Sequence, residues 1–115
     1  MRLVIDYGRC ALSVDGDTVP APSAIGVVAI EACEFFAAGS IGNDQEYFAF
    51  SHTTLINRRG FVYNYVKFRV DADGTVTARA MYLEPDDYEV TMDEEFSTRI
   101  DDGKGAGAAA FFIPR

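Results

Sequence analysis

Tryptophan is absent from this chain of 115 residues, histidine occurs once and cysteine twice. One histidine, with no Cys-x-x-Cys and no Cys/His spacing, leaves no ligand set for zinc, and no cofactor motif is present; the expected metals and cofactors are none. No run is long and apolar enough to cross a membrane. Basic residues are scarce, ten against eighteen acidic ones, for a formal net charge of −8. That balance argues against nucleic acid, which needs a basic footprint, and against anionic lipid surfaces. Met1, Arg2 and Leu3 lead straight into a strand-like run with no visible signal peptide. A cytosolic chain and a mature secreted domain with an added methionine both fit. Cys10 and Cys33 would pair only in an exported chain, and buried free thiols fit as well.

What is present is β-structure. The length allows one domain, residues 1–115, around one core. Phe61–Val70 and Thr75–Leu83 are rich in β-branched and aromatic residues and flank Asp71, Ala72, Asp73 and Gly74. Asp-Gly between two such runs predicts a hairpin, with Gly74 taking the left-handed conformation of a three-residue loop. The register then pairs Val70 with Val76, Phe68 with Ala78, Val66 with Ala80 and Asn64 with Tyr82. That face is apolar and sets large residues against small, as a packed interior requires. A slip of one residue would mix the faces and is disfavoured.

The other face carries Tyr63, Tyr65, Lys67, Arg69, Arg79, Met81 and Leu83. Lys67 opposite Arg79 is a repulsive pair, beside an apolar patch. Something should cover this face: another part of the chain, or a partner or second subunit, since Tyr, Met and Arg are enriched at interfaces. Anion binding is a third reading. Nine of the eighteen acids fall between Glu84 and Asp102. They could fold beside the basic hairpin of the same chain or meet it on another subunit.

Elsewhere, Arg2–Tyr7 reads as a strand and Ser13–Ser23 as a loop. Ile25–Phe36 carries a helix-like stripe but is read as a strand with a bulge or bend, because its surroundings are β-rich. Glu46–Ile56 is a strand with Phe48, Phe50, His52 and Thr54 on one face. Tyr88–Met92 and Glu95–Ile100 read as short strands, and Ala106–Ile113 as the last. This spacing predicts an all-β antiparallel meander of about eight strands, closed as a barrel or folded as a sandwich.

No constellation announces catalysis. Ser51 and His52 point to opposite faces of a strand and form no nucleophile and base. Asp71-x-Asp73-Gly74 starts like a calcium loop, but Tyr82 stands where its final acidic ligand belongs. Asp101, Asp102, Gly103, Lys104 and Gly105 lack the context of a phosphate loop. In a closed barrel, His52, Asn64, Tyr82, Phe48 and Phe50 would line a small lumen suited to an apolar ligand.

Val4–Cys10, Phe50–Thr54 and Phe68–Val76 resemble the VirK family of small exported bacterial proteins, and Phe96–Gly103 is a weaker counterpart. The resemblance implies export and a role near the cell envelope or in host interaction, and supplies no catalytic residues. It also implies a cysteine in the late strand to pair with one like Cys10; Thr98 stands at about that place here, a departure from the pattern.

The expected function is therefore a non-enzymatic interaction protein that binds a protein partner or a second copy of itself as a dimer. A lipocalin-like barrel acting on a small apolar ligand and an obligate subunit of a larger assembly are the alternatives.

Overall fold

The computed structural model describes residues 1–113. Among them are ten strands: β1 (Arg2–Asp6), β2 (Ala11–Val14), β3 (Asp17–Val19), β4 (Ile25–Ala29), β5 (Glu34–Phe36), β6 (Tyr47–Asn57), β7 (Phe61–Asp71), β8 (Thr75–Leu83), β9 (Val90–Arg99) and β10 (Ala109–Phe112). They form a seven-stranded sheet, ordered β3-β2-β9-β8-β7-β6-β5, and a three-stranded sheet, ordered β10-β1-β4. All named pairings are antiparallel.

The central hairpin has the register read from its sequence, from Val70 opposite Val76 out to Tyr63 opposite Leu83. Gly74 is left-handed at φ 88°. Its N–H donates to the Asp71 carbonyl at 3.0 Å. The Asp73 carboxylate accepts from the Thr75 N–H at 2.9 Å, so the turn employs its own acid and needs no metal.

The core lies between the sheets. Leu3, Ile5, Val28 and Ala109 face Leu12, Phe50, Phe68, Val70, Val76, Ala78 and Phe96. Phe68 is fully enclosed and stacks on Phe50, with centroids 4.9 Å apart.

The barrel branch of the expectation fails, and the sandwich branch stands. The strands of the small sheet have four or five residues, roughly 15 Å, whereas β6 and β7 each have eleven, roughly 36 Å. A short sheet covers only part of a long one. At the Gly74 end the inner face leaves Phe48 of β6 49% exposed, and it is sealed only from Val70 and Val76 back to Phe50, Phe68 and Ala78. Beyond that, His52 and Thr54 are exposed, and Asn64, Val66, Ala80 and Tyr82 are half-buried. Strands β3 and β5 end the large sheet as free edges.

Four stretches differ from expectation. Ser13–Ser23, read as a loop, contains the turn and second strand of a hairpin, β2 with β3, turned by Asp15 and Gly16, both at positive φ. That is the primed turn Asp-Gly favours. Ile25–Phe36 is two strands, β4 and β5, in different sheets. Tyr88–Met92 and Glu95–Ile100 are not separate strands: Val90–Arg99 is continuous, because Asp93 and Glu95 lie beside Arg79, the cation of β8, rather than turning the chain. Ala106–Ile113 narrows to Ala109–Phe112. Gly107 precedes it where a side chain would collide with the Arg99 carbonyl, so glycine is required there.

Candidate functional site

The outer face of β6–β9 gathers the predicted interface residues. Tyr63, Tyr65 and Met81 are half-buried side by side on β7 and β8, and Leu83 extends them. The chain's own cover is slight. Tyr88, from the turn after β8, brings its ring to 6.3 Å from that of Tyr63 while staying largely exposed. The face also runs further than the sequence reading took it: Leu55 lies opposite Tyr63, Phe61 continues the same alternation, and both are exposed. Counting outward from Tyr63 by twos would have found Phe61; Tyr88 reaches the face only through the fold of its turn.

The charges on this face are organised by the acidic strand. Arg79 donates from Nε and Nη2 to the two carboxylate oxygens of Asp93, at 2.9 and 2.6 Å. Glu95 lies directly across from Arg79 on β9. The fork-on-carboxylate bond holds Asp93 below the usual carboxylate range. This resolves the Lys67–Arg79 opposition: Arg79 turns toward β9 and leaves Lys67 exposed between it and Ser51. The acids of the following segment thus fold beside the basic hairpin of their own chain. Arg69 makes a separate pair with Asp71 at 2.8 Å and lies over the Tyr47 ring at 3.9 Å. Solvent screens exposed pairs of this kind, so they orient the face more than they stabilise it.

The lumen candidates share the inner face of the large sheet but surround no enclosed space. Phe50 is core, His52 is exposed, and Asn64 and Tyr82 are half-buried on the uncovered part. Phe48 is 49% exposed and packs on Phe35, itself 52% exposed, at 5.1 Å. With Phe50, Met1, Ile30 and Phe111 they line an open apolar groove of about 420 Å³. A second, more polar groove of about 450 Å³ is lined by Glu31, Glu34, Phe50 and His52, and Cys33 lines both. Sequence reasoning missed both grooves because they bring β5 and the segment before it onto β6.

The glycine-rich loop is closed on itself. Asp101 accepts from the Gly105 N–H at 2.9 Å, and Asp102 accepts from the Lys104 N–H at 2.7 Å. Amides aimed at their own carboxylates are not offered to a phosphate. Cys10 and Cys33 are both free thiols. Burial, then the nearby Asp6 carboxylate, push the Cys10 thiol up, which makes it a poor nucleophile.

The chain matches the family model described as "VirK protein" over residues 1–88. It belongs to the VirK family. The match takes in Val4–Cys10, Phe50–Thr54 and Phe68–Val76; Thr98 lies beyond it. The chain is also similar to a solved structure, "Crystal structure of lpg1832, a VirK family protein from Legionella pneumophila". The TM-score is 0.69 at 17% identity, covering 94% of this chain and 80% of that one. That likeness shows a shared fold. No curated protein matches the chain.

Proposed function

We propose that the protein is a non-catalytic interaction module, exported and acting at the cell envelope or outside it, that binds a protein partner through the outer face of its central hairpin. The observation that carries this reading is the band Leu55, Phe61, Tyr63, Tyr65, Met81 and Tyr88. It is only partly covered by the chain itself and is bordered by the Arg79–Asp93 pair. Aromatic residues and methionine with arginine nearby are the composition of an interface centre, and rim charges set orientation. A photoreactive residue in place of Tyr65 should give one discrete adduct in an envelope fraction, lost when Met81→Asp is added. Adducts no more abundant than those from Thr18, on the far edge of the sheet, would sink the idea.

The apolar groove favours a second reading, binding of a small apolar ligand against Phe35, Phe48 and Phe111. An uncharged apolar fluorescent probe should then bind, and Phe48→Ala should weaken it; equal binding by both proteins would count against this site.

A further inference from the structure

The small sheet is apolar on both faces, and the chain covers only one. Leu3, Ile5, Val28 and Ala109 face the core, while Val4, Ile25, Val27, Ala29, Ala110 and Phe112 alternate with residues of the covered face along the same strands. Three of the outward residues are among the most exposed apolar side chains of the molecule: Ile25 at 67%, Val27 at 63% and Phe112 at 57%. An antiparallel sheet with one wet face normally alternates apolar with polar. Here the pattern is that of a sheet with a layer on each side.

The charges on this face identify the occupant. They are two, Arg2 and Asp6, on the central strand β1, one register step of two residues to either side of Val4. Neither has an ion-pair partner among the described residues. Asp6 spends one oxygen on the Gly8 N–H at 3.2 Å, which leaves the other. A two-fold axis across the strands through Val4 lays each Arg2 over the Asp6 of a second copy and makes two pairs from one. The same axis sets Val27 on Val27 and Ile25 on Ala29, large against small, at the ordinary spacing of stacked sheets. The face is also electrically balanced in a molecule of net charge −8. It is therefore a place where two such acidic molecules meet without local repulsion.

We infer that the outer face of the small sheet, β10-β1-β4, is an isologous dimer interface, with Arg2 and Asp6 as its register-setting pair. The dimer leaves the hairpin face free for another partner.

Sedimentation velocity across the micromolar range tests this. The wild-type chain should pass from monomer to dimer and stop there. Val27→Glu should raise the dimer dissociation constant by about a hundredfold or more, because it buries an unpaired carboxylate. Arg2→Asp and Asp6→Arg should each weaken association about tenfold, and combining them should restore it to within about threefold, since the two-fold rebuilds both pairs in reverse. Tyr65→Ala should leave the dimer intact. A monomer at every concentration, a dimer indifferent to Val27→Glu, open-ended assembly, or a double reversal no better than the singles would each overturn the inference.

Discussion

Cys10 and Thr98 face each other. Ala11 pairs with Ser97 and Leu12 with Phe96 on β2 and β9, and one further step of that register brings Thr98 opposite Cys10, whose thiol donates to the Asp6 carbonyl at 3.4 Å. The Thr98 hydroxyl accepts from the Ala108 N–H at 3.0 Å. The residue standing where the family resemblance implied a cysteine thus occupies the partner position in space.

Thr98→Cys should accordingly form an intramolecular disulfide with Cys10 in the oxidised protein. Directly opposed strand residues have Cα atoms within the range a disulfide spans. Closing so long a loop should stabilise the chain by up to about 4 kcal/mol, less the lost Thr98 hydrogen bond. Thiol titration and thermal melting with and without reductant measure it. An oxidised variant with both thiols still free would show the register step to be wrong.

Phe68→Ala should cost about 3–5 kcal/mol, because Phe68 is fully enclosed and stacked on Phe50. Tyr65→Ala, at a half-buried position three residues away on the outer face of the same strand, should cost far less. Urea unfolding of the two variants compares a core position with a surface one on the same strand.

Gly107→Ala should destabilise the fold by at least about 2 kcal/mol, since the new methyl would meet the Arg99 carbonyl with no room to yield. Gly39→Ala, whose position is open but at positive φ, should cost about 1 kcal/mol through backbone strain alone. Their difference in melting temperature isolates the close approach.

Stability should fall in acid. Asp93 is held low by the Arg79 hydrogen bonds and Asp73 by donation from Thr75. Asp101 is held low by glycine N–H groups from its own loop, against the upward effect of burial. A carboxyl with a depressed folded pKa contributes fully above its unfolded pKa and loses that contribution as pH falls through the folded value. The loss should therefore develop below about pH 4. Asp93→Asn should flatten the acid limb of the melting curve; an unchanged limb would mean that the Arg79 pair contributes nothing.

The central hairpin was legible because its determinants are local. Asp73 and Gly74 set the turn, and a period of two assigns every side chain between Tyr63 and Leu83 to a face without reference to anything distant. The β2–β3 hairpin carried the same Asp-Gly signal, but its strands of four and three residues were too short to show a period. The acids of β9 read as breaks because their neutralising cation, Arg79, sits on another strand.

By itself the sequence determined the all-β class, the register of β7 on β8 and the two faces that follow from it. Only the tertiary structure decided what each face meets. The short small sheet stops before the ends of β6 and β7, so Asn64 and Tyr82 have the inward parity of a core but no layer above them. Phe35 and Phe48 form a groove wall for the same reason, and Val27 and Ile25 lie bare on the far side of a three-stranded sheet. Alternation along a strand is a property of neighbouring residues, whereas coverage depends on the lengths of strands far apart in the chain, which no local pattern encodes.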